Sequence, residues 1–166
     1  MNTKTKKIVI AALMAALTCV ATMVIKIPSP LNGYLNLGDC IVLMTGCILP
    51  PVYGFLASGL GSALADIFSG YANYAPATFI IKGIMALITY YGFKSLHKRI
   101  GNLPSRIISG IIAEFEMVLG YYIFEGLLYG FVSSVVNIPA NVVQGIAGLI
   151  IGTVLIRIFE KTKITF

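Results

Sequence analysis

Charge is scarce in this 166-residue chain: only 11% of residues are charged, and acidic side chains number 6. A typical soluble domain carries about 25% charged residues, so too few are present to coat a globule of this size. With 58% hydrophobic residues and a mean hydropathy of +0.92, a soluble enzyme is excluded and a polytopic membrane protein is expected. Catalytic signatures are also missing. There is no HExxH, no Gly-x-Ser-x-Gly and no Walker motif, so the chain cannot drive uphill transport by hydrolysing ATP itself. Histidine occurs once, as His97 in a basic segment. The three cysteines (Cys19, Cys40, Cys47) form no CxxC and read as small hydrophobes inside helices. No cofactor or metal is expected.

A membrane helix needs about 20 residues, so 166 residues allow at most six or seven spans with short loops, and no soluble domain is expected beside them. Apolar stretches cover residues 8–25, 40–49, 51–68, 75–93, 107–131 and 139–159. The first resembles a signal peptide, but no polar domain follows it, and Thr18 spoils the lipoprotein box before Cys19. Pro28, Pro30, Asn32, Gly33, Asn36 and Gly38 make residues 26–39 a loop. Pro76 suits a first helical turn. Residues 40–68, broken by Pro50-Pro51, could be one kinked helix or two spans, and positive charge decides between them. With two spans, ten of the 12 basic residues lie on one side, among them Lys4, Lys6, Lys7, Lys94, Lys98, Arg99 and Arg106. The expectation is an all-α six-helix membrane bundle with both termini cytoplasmic and a short second helix, all in one domain. The net charge of +6 is thus a topology signal rather than a nucleic-acid one.

Charges inside hydrocarbon are expensive, and they are usually paired or face a cavity. Here Asp39, Asp66, Lys82, Glu125, Asn137, Asn141 and Gln144 all fall toward the outer half of the bundle. Lys82 lies roughly 9 Å into its span at 1.5 Å per residue. Asn137, Asn141 and Gln144 share one helical face, as do Glu114, Tyr121 and Glu125, while Glu116 points elsewhere. Loop residues Tyr34, Asn36, Tyr71, Asn73 and Tyr74 add hydroxyls and amides at the same level. The clustering points to an outward-facing pocket, with Glu125 or Glu114 as counter-charge to Lys82. Two other readings compete. Lys82 and a Glu could simply tie helices together, and Asp39 suits a helix N-cap as well as a ligand contact. An intramembrane acid–base enzyme using Glu114, Glu116 or Asp39 is a rival of another class.

Small residues recur at four-residue spacing: Ala11, Ala12, Ala15 and Ala16 in the first span, Gly54, Ser58 and Ser62 in the third, and Gly148 and Gly152 in the last. Such faces let helices approach closely. The later two read as internal packing and the first as a docking face for a partner membrane protein.

Taken in order, several segments resemble the substrate-binding S component of energy-coupling factor (ECF) vitamin transporters. They are the Lys-rich start running into Ala11–Ala16, the Pro/Gly loop ending in Gly33-Tyr34-Leu35-Asn36-Leu37-Gly38-Asp39, Pro51-Val52-Tyr53-Gly54, and Tyr74-Ala75-Pro76 leading to Lys82-Gly83. The resemblance implies a high-affinity vitamin binder in a bacterial-type plasma membrane. It would dock through the alanine face of the first span on a transmembrane scaffold subunit carrying two cytoplasmic ATPases. It also implies a site in the outer loops and the outer ends of spans 4–6. One cation, few carboxylates and several amides and tyrosines suit a polar heterocycle such as vitamin B6 or the pyrimidine precursor of thiamine, with riboflavin as the alternative.

Overall fold

The computed structural model describes residues 3–161. Helix α1 covers Thr3–Val24, followed by a two-stranded hairpin, β1 (Ile27–Pro28) and β2 (Tyr34–Leu35), then α2 (Gly38–Ile48) and α3 (Pro51–Phe68). Next come α4 (Ala75–Ile100), α5 (Asn102–Tyr129), the single turn α6 (Phe131–Ser134), a 3-10 turn over Val135–Asn137, and α7 (Ile138–Lys161). Five of these stretches are long and apolar enough to cross a membrane, and α2 is a shorter apolar helix. Apolar side chains such as Leu13, Val52, Phe115 and Val143 stand exposed on the outer surface of the bundle, where lipid replaces water as solvent. Lys163, another of the ten basic residues expected on the cytoplasmic side, lies outside the described residues.

Helix α1 packs on α3, α3 on α4, α4 on α5, and α5 on α7, while α2 lies inside against α1, α3, α4 and α7. Eight of the eleven α2 residues are buried. At 1.5 Å per residue α2 extends about 16 Å, half of a hydrocarbon core of about 30 Å. One core cluster, Val42, Leu43, Ile81, Met85, Ala86, Ala113 and Met117, joins α2 to α4 and α5. A second gathers Met14, Met44, Leu49, Ala57 and Ile156. Small residues set the close approaches: a Cβ on Gly46 would stand 2.7 Å from the Ala86 carbonyl oxygen, and one on Gly61 would collide with that of Ala15.

Two expected loops differ. Residues 26–39 contain a paired hairpin, Ile27 opposite Leu35 and Pro28 opposite Tyr34, turned by Gly33 at φ +94°. Residues 94–106 are not a loop. Helix α4 runs to Ile100 and α5 starts at Asn102, with Gly101 at φ +83° as the whole break. Lys94 and Lys98 belong to good helix formers, and His97, Lys98 and Arg99 in the last turn complement the C-terminal dipole. Charge ended the apolar stretch there without ending the helix.

Candidate functional site

The polar residues converge at the end of the bundle that carries the hairpin. That end is built from the start of α2, α4 and α7 and the finish of α3 and α5. Lys82, two turns into α4, is 2% exposed and forms an ion pair with Asp39 in the first turn of α2, which is fully buried. This corrects two expectations. The counter-charge of Lys82 is Asp39 rather than Glu125 or Glu114, and Asp39 does not cap α2, since Leu37 holds that position. The central placement of α2 explains both, because it drives the Asp39 side chain toward α4 instead of back along its own axis.

Gln144 on α7 extends the pair. Its Nε2 donates to Asp39 Oδ2 at 2.7 Å, and its Oε1 accepts from the Asn36 backbone N–H at 2.9 Å. The hairpin side of the site is thereby wired to the buried charge pair. Asn36 Oδ1 in turn accepts from the Gly38 N–H at 2.9 Å, covering one free amide at the α2 N-terminus. The Lys82 ammonium also lies 5.4 Å from the centre of the Tyr121 ring, within cation–π range.

Above this layer is a cleft of about 30 Å³ lined by Ser29, Asn32, Gly33, Tyr34, Asn36, Asp66, Tyr71, Tyr74, Thr78, Tyr121, Glu125, Asn141 and Gln144. Aromatic rings roof it: Tyr34 and Tyr71 are 4.9 Å apart, Tyr71 and Tyr74 6.4 Å, and Tyr74 and Phe124 5.2 Å. The Tyr34 hydroxyl donates to Asp66 at 2.8 Å. Burial, reinforced by that carboxylate, pushes the Tyr34 hydroxyl well above its ordinary range, so it stays a donor. Burial and Glu125 do the same for Tyr74. Tyr74 donates to Glu125 Oε1 at 3.4 Å and Asn137 Nδ2 donates to the same atom at 2.9 Å. Glu125 Oε2 is buried without a donor among the described residues. Asn137 also accepts from the Leu31 N–H at 3.1 Å, pinning the hairpin to the start of α7.

Of the residues expected from sequence, Tyr34, Asn36, Tyr71, Tyr74, Tyr121, Glu125, Asn141 and Gln144 therefore line one cleft. Asp39 and Lys82 lie beneath it, and Asn137 is a buried strut. Asn73 is exposed in the turn before α4 and does not line the cleft. Asp66 and Asn32, polar residues expected at this level, line the cleft as well, and Ser29, Gly33 and Thr78 are lining residues outside the expected set. Thr78 carried a readable signal, since it stands one turn before Lys82 on the same face, and its hydroxyl is 3.0 Å from that of Tyr121. In α1, Ala11 and Ala15 are half-buried against the second core cluster, whereas Ala12 and Ala16 are exposed.

A membrane bundle with one aromatic-roofed polar cleft at one end is the architecture of a small-molecule-binding membrane subunit. A model of the family "ECF-type riboflavin transporter, S component" matches residues 2–161, and the chain belongs to that family. It is a transport subunit of the plasma membrane rather than an enzyme. A Pyrococcus woesei relative, described as an "uncharacterized protein in gap 3' region", is 36% identical over 143 residues, covering 86% of this chain and 93% of that protein. The thiamine precursor transporter HmpT of Lactococcus lactis subsp. cremoris is 27% identical, with coverages of 98% and 93%. Two solved folds are similar. The S component of a bacterial ECF transporter has a TM-score of 0.75 at 23% identity, covering 96% of this chain and 98% of that one. The S component for biotin of an ECF-type ABC transporter has a TM-score of 0.55 at 21% identity, with coverages of 93% and 94%.

Proposed function

We propose that the chain captures a single-ring, donor-rich vitamin precursor from outside the cell, of the hydroxymethyl-aminopyrimidine class, and delivers it to an ECF scaffold with two ATPases. The observation that carries this reading is Glu125 Oε2, a buried acceptor without a protein donor in a cleft roofed by tyrosines. A ligand amino or hydroxyl group would satisfy it, while the tyrosine faces stack on a flat ring. Lys82 is held by Asp39, so the cleft offers no free ammonium to a phosphate or carboxylate. The relative HmpT is described as a thiamine precursor transporter, which is compatible with such a ligand. Vitamin B6 shares the chemistry.

At about 30 Å³ the cleft has room for about one water, so a ring enters only when the hairpin lifts. The bonds from Tyr34 to Asp66, from Leu31 to Asn137 and from Asn36 to Gln144 would break and re-form around the ligand. The test is titration calorimetry on the purified protein with 4-amino-5-hydroxymethyl-2-methylpyrimidine, pyridoxine and riboflavin. The pyrimidine is expected to bind tightest, and Glu125→Gln to weaken it by about ten- to a hundredfold. Tight riboflavin binding with neither single-ring compound bound would overturn the reading.

A further inference from the structure

The cleft has a sign as well as a shape. Two carboxyl groups line it, Asp66 near the end of α3 and Glu125 near the end of α5, on the two helices that flank α4. Both are buried, at 6% and 3% exposure. Among the described residues no lysine or arginine lines the cleft. Lys82 lies beneath it, committed to Asp39. Lys26 stays exposed and donates to Ser69 Oγ at 3.2 Å.

The donors that these two carboxyls receive are neutral. Tyr34 donates to Asp66 Oδ1, and Tyr74 and Asn137 donate to Glu125 Oε1. Glu125 Oε2 receives none among the described residues. Neutral dipoles ease the burial of a carboxylate, but they leave its charge uncancelled. Charges within a membrane bundle are usually paired. Asp39 has its lysine, whereas Asp66 and Glu125 share a cleft with no cation in it.

The aromatic lining favours the same sign. The face of a tyrosine ring is the negative end of a quadrupole, and cages of such rings hold organic cations. Tyr34, Tyr71, Tyr74 and Tyr121 all line the cleft. Tyr121 already engages one cation, since the Lys82 ammonium lies 5.4 Å from its ring centre. A neutral flat ring would stack on these faces as well, yet it would leave both carboxylates unanswered.

We propose that the cleft binds its single-ring ligand as a cation. The positive charge is spread over a flat nitrogen heterocycle held by the tyrosine faces, with its N–H donors turned to Asp66 and Glu125. This inference rests on the reading of the cleft as a vitamin-precursor site and adds the ligand's charge to it. An aminopyrimidine qualifies once a ring nitrogen takes a proton from the medium, because the amino group then shares the charge. A ring made permanently cationic by N-alkylation qualifies too. Phosphorylated or carboxylated rings are rejected by like charge.

The test uses two probes of one shape on the purified full chain in an uncharged detergent. 4-Amino-1-methylpyridinium is always cationic. 4-Methylaniline has carbon in place of the ring nitrogen and is uncharged near neutral pH. By titration calorimetry the cation is expected to bind about tenfold or more tightly than its neutral twin. Asp66→Asn and Glu125→Gln keep the size and an acceptor for the tyrosines, and the double variant should bring the two affinities within about twofold. Equal affinities in the unmodified protein, a preference for 4-methylaniline, or binding of neither probe would overturn the proposal. So would a cation preference that survives in a folded double variant. 4-Amino-5-hydroxymethyl-2-methylpyrimidine, titrated alongside, keeps the two readings apart. If it fails to bind while the cation is still preferred, the pyrimidine reading falls and the charge of the ligand stands.

Discussion

Asp39 and Lys82 govern each other. Each is buried, and the loss of one leaves a bare charge inside the bundle. Removing one partner of a buried pair costs about 3–5 kcal/mol, whereas replacing both with neutral groups is often near neutral. Lys82→Met is therefore expected to lower the melting temperature sharply, and Asp39→Asn combined with Lys82→Met to recover most of it. An additive loss in the double variant would show that the two side chains act separately. Asn141 is different: it lines the cleft and lies outside the pair. Asn141→Leu should weaken pyrimidine affinity by about 1.5 kcal/mol, roughly tenfold, with little change in the melting curve. The gathering of these polar residues toward one end was legible in the sequence from span order and charge, with helical spacing adding which of them share a face. The identity of the partner was not. Asp39 and Lys82 are 43 residues apart, and their meeting depends on α2 lying inside the bundle, which no local pattern encodes.

At the scale of elements, the helix starts at Pro51 and Pro76 were readable because proline fits a first turn. The continuous α4 was not, since a basic segment ends an apolar stretch whether or not it ends a helix. Helix contacts depend on missing side chains, as one helix illustrates. On α3, a Cβ at Gly61 would strike the Ala15 carbonyl oxygen, whereas one at Gly54 meets nothing closer than 3.8 Å. Gly61→Ala should then push α1 off α3 and cost about 1–3 kcal/mol. Gly54→Ala should be neutral or slightly stabilising, since alanine favours helix. Melting curves of the two variants test this, and equal effects would mean that α1 adjusts freely. The hairpin covers the cleft and is tied down by side-chain bonds. Tyr34→Phe removes its bond to Asp66 and should speed ligand release more than it slows capture, as stopped-flow measurements would register.

For the whole molecule, S components of this family bind vitamin substrates and associate with an ECF module. Two expectations about that setting follow from where charge and alanine lie. The basic residues near the α4–α5 junction should face the cytoplasm. A cysteine at His97, on a Cys-less background, should resist impermeant maleimide in intact cells and react after permeabilisation. The docking face can now be separated into two stripes that the sequence left equivalent. Ala11 and Ala15 are half-buried against the chain's own core, and Ala12 and Ala16 are exposed. Close approach of small residues stabilises helix pairs in lipid, so the exposed stripe is the one left for a partner. Ala12→Leu with Ala16→Leu should leave ligand affinity and the melting curve of the isolated subunit unchanged. The same pair should abolish co-purification with a scaffold subunit and vitamin uptake. Ala11→Leu with Ala15→Leu should instead destabilise the isolated subunit, because the added bulk meets α3. Uptake that survives the Ala12/Ala16 pair would place the scaffold on another face of the bundle.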